Sequence, residues 1–219
     1  NAANVVRFDR STKKFVNDFH SEFLRDINFS PYVVCKDLMK DLFDTYKDSV
    51  VLFPYETSRG CPYNCSYCDW TGGLHHKVQK RKVDRKEELN VLFETGVRFF
   101  AIADANFGMW DEDIEIVKQI AEFKKQGHFV DIWSYNLSKQ KNGNVREIMR
   151  LIAEHNLSSY PKISVQDTHK EVLDASDRPD LTWEQNVEMV REIYNDFPQV
   201  SYLYVDLIMG LATQTLDMW

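Results

Sequence analysis

Nowhere in these 219 residues does an apolar run reach the ~18 positions that a membrane span requires. An excess of positive charge is also missing. The net charge is −7, so nothing global draws the chain to nucleic acid or to an anionic membrane surface. No secretory leader is expected before the first segment, and the sequence shows no internal repeat or low-complexity stretch. Cysteine is scarce and unevenly placed: Cys61, Cys65 and Cys68 are crowded together, and Cys35 stands alone. A secreted disulfide framework uses an even, dispersed set, so that class drops out in favour of metal binding in a reducing compartment. Cys35 is expected to be a buried small hydrophobe rather than a fourth ligand. The chain begins at Asn1 and stops at Trp219 soon after an apolar stretch, and it reads as a fragment or a trimmed chain.

What is present is enough apolar residue, 43% of the chain, to bury one substantial core. Residues 1–48 are charged and aromatic and are expected to form a helical extension or linker. Phe15, Phe19 and Phe23 have helical spacing, Phe29-Ser30-Pro31-Tyr32 breaks the run, and Leu38, Leu42, Phe43 and Tyr46 suggest one more short helix. From residue 49 onward the pattern alternates. Strands are expected at Val50–Tyr55, Arg98–Ala103, Phe129–Tyr135, Lys162–Gln166 and Val200–Met209. Helices are expected at Lys86–Thr95, at Asp111–Gln126, around Val145, Ile148, Met149 and Ile152, and at Thr182–Phe197 with Trp183, Val187, Val190 and Tyr194 inward. Strands alternating with helices imply parallel βαβ units, and near-continuously apolar strands imply cover on both faces. The expected fold is therefore α/β: a partial (β/α)6-type TIM-like barrel of parallel strands over residues 49–219, behind an N-terminal helical extension. Active sites of such folds gather at the carboxyl ends of the strands.

The segment Glu56-Thr-Ser-Arg-Gly-Cys61-Pro-Tyr-Asn-Cys65-Ser-Tyr-Cys68 follows the first of these strands, in the pattern C-x3-C-x2-C. Thiolates suit iron–sulfur clusters or zinc. Three of them can hold three irons of a cubane and leave the fourth open, which is what chemistry needs. A structural zinc site would want a fourth ligand, which His75 or His76 could supply, although zinc sites more often show C-x2-C pairs.

This loop, with an aromatic residue before its last cysteine, resembles the signature of the radical S-adenosylmethionine (SAM) superfamily. The resemblance covers roughly residues 28–216. Phe29-Ser30-Pro31-Tyr32, Ser58-Arg59-Gly60-Cys61, Cys68-Asp69-Trp70-Thr71-Gly72-Gly73, Ala103-Asp104-Ala105-Asn106-Phe107-Gly108 and Asp206-Leu207-Ile208-Met209-Gly210-Leu211 are similar to the cobalamin-type branch. The resemblance implies a [4Fe–4S] cluster on Cys61, Cys65 and Cys68 whose open iron chelates SAM. Its reduction yields a 5′-deoxyadenosyl radical that takes hydrogen from a substrate. It also implies a flavodoxin- or ferredoxin-like electron donor and a reducing cytoplasm. Methyl transfer through cobalamin, held by a domain this chain lacks, stays open. So do a zinc-stabilised binding module and a radical SAM scaffold without turnover. The substrate is not readable.

Carried over residue by residue, the resemblance places Tyr67 near the adenine, and Asp104 with Asn106 at the SAM amino group. Ser164 and Gln166 fall at the ribose, Arg178 at the carboxylate, and Ile208, Met209 and Gly210 along the adenine pocket. Plainer readings stand beside these: a loop aromatic, a helix cap before Asp111, a surface arginine and ordinary core. Relatives often continue Gly-Leu-Pro-Gly-Glu-Thr where this chain has Gly210-Leu-Ala-Thr-Gln-Thr215, so the turn there is expected to differ. The basic run Lys77–Lys86 reads as a solvated face, with an anionic substrate or a reductant protein as the alternative. Asn136 and Lys139 are candidates to touch substrate, and Trp133 is expected in the core.

Overall fold

The computed structural model describes residues 6–17, 27–47, 49–69, 78–139, 143–178 and 180–218. The first elements are not the expected helix. Strands β1 (Val6–Asp9) and β2 (Lys14–Asn17) form an antiparallel hairpin. The Asp9 carboxylate accepts hydrogen bonds from the Ser11 amide and hydroxyl and from the Thr12 amide, and Lys13 takes a positive φ of 53°. That side-chain turn competes successfully with helix formation. Phe15 lies on β2, edge-on to Phe8 across the hairpin, while Phe19 and Phe23 fall outside the described residues.

Two short helices follow, α1 (Pro31–Val34) and α2 (Lys36–Thr45). Ser30 caps the first by accepting from the Val33 amide, and Pro31 occupies the position where its missing N–H costs nothing. Tyr32 and Met39 bring both helices onto the main core. Cys35, at their junction, is exposed rather than buried, because Tyr32 and Met39 already occupy the inward turns.

The α/β alternation then runs as read. Strand β3 (Leu52–Tyr55) leads into two two-residue strands, β4 (Ser58–Arg59) and β5 (Gln79–Lys80), which pair antiparallel. After them come α3 (Arg85–Glu94), β6 (Phe99–Ile102), α4 (Asp111–Lys125), β7 (Asp131–Ser134), α5 (Gly143–Glu154) and β8 (Lys162–Gln166). A helix that the pattern did not show, α6 (Lys170–Ala175), precedes α7 (Trp183–Asp196) and β9 (Tyr204–Leu207). A single 3-10 turn closes at Leu216–Met218.

Strands β3, β6 and β7 form one parallel sheet, and β8 and β9 form another. Between β7 and β8 there is no ladder. The Ile132 amide donates to the Leu157 carbonyl at 2.7 Å, the Ser158 hydroxyl donates to the Ile132 carbonyl at 2.8 Å, and the Tyr135 hydroxyl accepts from the Lys162 amide at 2.9 Å. The outer faces of the strands are packed under the helices, through Phe100 and Ile102 on β6 and Ile163 and Val165 on β8. The inner faces are not covered to the same extent. Phe99, Trp133, Tyr160, Tyr204 and Tyr202 run across them in ring-to-ring contact, and Trp133 is exposed rather than core. Burial on both faces therefore does not hold: β6 and β8 alternate, and β9 is largely open.

Helix α7 begins as read, with Thr182 and Gln185 in a reciprocal capping box. Its inward stripe is Asn186, Met189, Ile193 and then Phe197, while Trp183 and Tyr194 are exposed. Among the described residues no helix is long and apolar enough to cross a membrane.

Candidate functional site

The cysteine loop leaves the carboxyl end of β3 and is tied in turn to the strands that follow. At its root, the Thr57 amide donates to Asp104 Oδ1 at 2.6 Å and the Ser58 hydroxyl to Asp104 Oδ2 at 3.0 Å, just beyond β6. Further on, the Tyr63 hydroxyl lies 3.4 Å from Ser138 Oγ beyond β7, and the buried Lys139 ammonium sits 4.1 Å from the Tyr63 ring centre. Beyond β8, the Ser66 amide donates to the Ser176 carbonyl at 3.0 Å. The loop thus crosses the carboxyl ends of four strands, where a β/α fold collects its chemistry. Lys139 lies beneath the loop, on the ring of Tyr63, so it faces the loop rather than an outside substrate; Asn136 is exposed.

Gly60 carries the chain at φ +93° into Cys61, and the Cys68 amide folds back onto the Cys65 carbonyl at 3.0 Å. All three thiols are free; Cys61 and Cys65 are half-buried and Cys68 is exposed. Among the described residues no three His, Cys, Asp or Glu side chains converge as a single metal ion would need. A cubane in which each thiolate takes a different iron asks for no such convergence. His75 and His76 lie outside the described residues.

Tyr67 and Arg178 are brought together with Cys65. Burial pushes the Tyr67 phenol above its ordinary range; the Arg178 guanidinium opposes that rise and the Cys65 thiol adds to it. Arg178 is not a surface arginine. Its Nη2 donates to the Ser164 carbonyl at the end of β8 (2.8 Å) and lies 3.5 Å from Asp180 Oδ2. Ser164 Oγ donates to Asp206 Oδ2 on β9 at 2.9 Å. Gln166 sits at a break in the β8–β9 register with φ +73°, a strained conformation for a residue with a side chain, and its carbonyl accepts from the Ile208 amide at 2.8 Å. Met209 is 75% exposed, and Gly210 follows it at φ +91°, so this stretch is an open turn rather than core.

The altered turn after Gly210 has its own fastening, which the sequence reading missed. Gln214 Oε1 accepts from the amides of Gly210 (2.5 Å) and Leu211 (2.9 Å), while Nε2 donates to the Ile208 carbonyl and to Asp167. Burial acts to raise the Asp167 carboxyl, but hydrogen bonds from Gln214 and His169 outweigh it and hold the group below its usual range.

Asp104 and Asn106 do not behave alike. Asp104 has no exposed surface and both oxygens are engaged by Thr57 and Ser58, so it is not turned toward an incoming ammonium. Among the described residues the Asn106 Nδ2 and Ser176 Oγ atoms are buried without a hydrogen-bond partner, as groups awaiting a ligand would be. Burial pushes the neighbouring Asp113 carboxyl up to about 6, against hydrogen bonds from the Trp110 and Gly108 amides.

The basic run is only partly a solvated face. Lys82 and Lys86 are exposed and Lys77 lies outside the described residues, but Arg81 is buried. Its guanidinium donates to Glu88 Oε1 (2.5 Å), the Glu56 carbonyl (2.6 Å) and the Phe29 carbonyl (2.9 Å). Arg85 donates to Glu88 and to the Thr57 carbonyl, so the loop root is held from this side as well.

The family model for the radical SAM superfamily matches residues 55–219. Over 163 residues the chain is 30% identical to a 2-(S-pantetheinyl)-carbapenam-3-carboxylate methyltransferase of Streptantibioticus cattleyicolor, covering 74% of this chain and 23% of that protein. The same figures hold for TokK of Streptomyces tokunonensis, a cobalamin-dependent radical SAM methyltransferase. The chain therefore spans about a quarter of the length of the curated relatives it matches. Among solved structures, TsrM of Kitasatospora setae, a radical SAM methyltransferase with cobalamin and a [4Fe–4S] cluster bound, superposes with a TM-score of 0.60 at 16% identity. That match covers 81% of this chain and 34% of TsrM. Apo OxsB, a cobalamin-dependent SAM radical enzyme, gives 0.54 at 17% identity over 97% of this chain and 30% of OxsB. At these identities the likeness shows the fold, an α/β barrel-type core.

Proposed function

Since this chain belongs to the radical SAM superfamily, we propose that Cys61, Cys65 and Cys68 each bind one iron of a [4Fe–4S] cluster and leave the fourth iron open to SAM. When bound, cluster and SAM supply a one-electron reductive cleavage of the sulfonium, with the electron delivered by a flavodoxin- or ferredoxin-like donor. In this reading residues 49–219 are the SAM core, an arc of a (β/α)6-type barrel, and residues 1–48 are its N-terminal extension. Its home is a reducing cytoplasm, where an exposed cluster survives.

The chain's own residues bind and orient. Tyr67 lies against the adenine side, with burial pushing its phenol above its ordinary range. The Arg178 guanidinium, held at the Ser164 carbonyl, meets the SAM carboxylate, and Asn106 reaches the amino-acid end through its amide. Ser164 and Gln166 take the ribose hydroxyls. Ile208, Met209 and Gly210, with Gln214 holding their turn, border the adenine. The likeness to cobalamin-dependent methyltransferases supports methyl transfer through cobalamin as the reaction of the whole protein, on a substrate that no residue here identifies.

The observation that carries this reading is a loop of three free thiols laid across the carboxyl ends of the strands. Anaerobic reconstitution tests it. The expected result is iron and sulfide in [4Fe–4S] stoichiometry, a broad charge-transfer absorption, and SAM cleavage on reduction, all lost in Cys65→Ala. Bound zinc without sulfide, or full cleavage by Cys65→Ala, would refute it.

A further inference from the structure

Asp104 stands at the carboxyl end of β6 with 0% exposure, and its carboxylate is already spoken for. Oδ1 accepts the Thr57 amide at 2.6 Å; Oδ2 accepts the Ser58 hydroxyl at 3.0 Å and the Thr57 hydroxyl as well. Burial raises its pKa, and the hydrogen bonds from Thr57 and Ser58 oppose the rise, as expected of donors serving the charged form. A ligand ammonium could reach this carboxylate only by displacing those donors. Each donor, itself buried, would then be left unpaired.

Thr57 and Ser58 are the last buried residues before Arg59, Gly60 and Cys61. Three residues of extended chain reach at most ~10 Å, so the position of Ser58 bounds closely where Cys61 can stand. No other side chain from β6 or its following loop holds this root by hydrogen bonds of this kind. Asp113, at the start of α4, reaches Thr57 Oγ1 only at 3.5 Å and spends its second oxygen on the Gly108 and Trp110 amides.

We propose that Asp104 is a positioning residue: it anchors the Thr57–Ser58 root of the cysteine loop and thereby sets where the cluster sits, without touching SAM. This rests on the assignment of the three cysteines above. The experiment uses the full chain in two states. In the cluster-free protein, amide hydrogen exchange at Thr57 and Ser58 is followed by mass spectrometry or NMR. In the anaerobically reconstituted protein, loss of charge-transfer absorption to an iron chelator is timed.

Asp104→Asn replaces one acceptor oxygen by a donor and is expected to speed both Thr57 exchange and cluster loss about tenfold, the loss of one buried hydrogen bond. Thr57→Val keeps the shape and loses the hydroxyl, and it is expected to speed cluster loss to a similar extent. Thr57→Ser restores the hydroxyl and is expected to hold the cluster like the parent. If Asp104→Asn does not fold, the Thr57→Val and Thr57→Ser pair decides. Unchanged exchange and unchanged cluster retention, with SAM binding weakened in Asp104→Asn, would overturn the proposal and return Asp104 to the ligand. If the parent chain takes up no cluster, the cysteine assignment fails, while Thr57 exchange in the cluster-free protein still decides the anchor.

Discussion

Removing the Arg81 guanidinium is expected to be among the most damaging single changes away from the cysteines. Its side chain is 3% exposed and that of its partner Glu88 only 1%. Three hydrogen bonds go with it: to Glu88, to the Glu56 carbonyl and to the Phe29 carbonyl. In Arg81→Met, Glu88 keeps only Arg85 at 3.2 Å and the Tyr55 hydroxyl at 3.2 Å. The Tyr55 phenol, which burial drives far above its ordinary range, stays protonated and still donates. Breaking a buried pair from one side costs about 3–5 kcal/mol; here the loss combines a Glu88 carboxylate left with Arg85 as its one cationic partner and two carbonyls left without the guanidinium. For a chain of this size that is a fall in Tm of roughly 6–20 °C. Replacing both partners, as in Arg81→Met with Glu88→Met, removes the carboxylate that has lost half of its cationic partners. The double variant should then lie about 1–3 kcal/mol below the parent, the cost of the two stranded carbonyls and of a Tyr55 hydroxyl and an Arg85 guanidinium that lose Glu88, and above the single variant. Equilibrium unfolding in urea measures all three. An Arg81→Met loss under ~1 kcal/mol, or a double variant no more stable than the single one, would refute this account.

Two further outcomes follow from residues near the loop root. Gly108 has φ +90°, and a methyl group added there would meet Ile148 Cδ1 at 3.1 Å and Val145 Cγ2 at 3.2 Å, so Gly108→Ala should cost roughly 1–3 kcal/mol in denaturant unfolding. Asp113, with its folded pKa pushed up to about 6, binds a proton in the native state that the unfolded chain has already released. Its stabilising contribution is therefore complete in acid and is lost as pH rises through about 6, a decline of about 1–3 kcal/mol. Asp113→Asn should remove that decline. A gap between parent and variant that is the same at pH 4 and pH 7 would contradict it.

The alternation of strands and helices was legible because some helices carry their own start or stop. Asp84 and Thr182 accept from amides three residues on, and Gly96 and Gly127 turn the chain at positive φ. The cysteine loop was legible as spacing. What escaped the sequence was partnership at a distance. Nothing local to Asp104 tells that Thr57, 47 positions earlier, will use its oxygens. Nothing in a run of basic residues tells that Arg81 turns inward to a glutamate while Lys82 does not. Helix α7 shows the same limit. Two overlapping stripes fit its sequence, and the buried one contains Asn186, whose Nδ2 bonds the Thr182 carbonyl at 3.0 Å. The hairpin at the amino end was lost to a spacing argument because Asp9 settles the matter through its own turn.

The unpaired line between β7 and β8 has a consequence for the loop above it. No ladder joins the two sheets there, and isolated hydrogen bonds such as Ile132 to Leu157 and Lys162 to the Tyr135 hydroxyl join them instead. The cysteine loop is fastened on both sides, through Tyr63 to Ser138 on one and through Ser66 to Ser176 on the other. The stretch from Tyr63 to Ser66 therefore bridges the seam as a strap, and Cys65 rides on it.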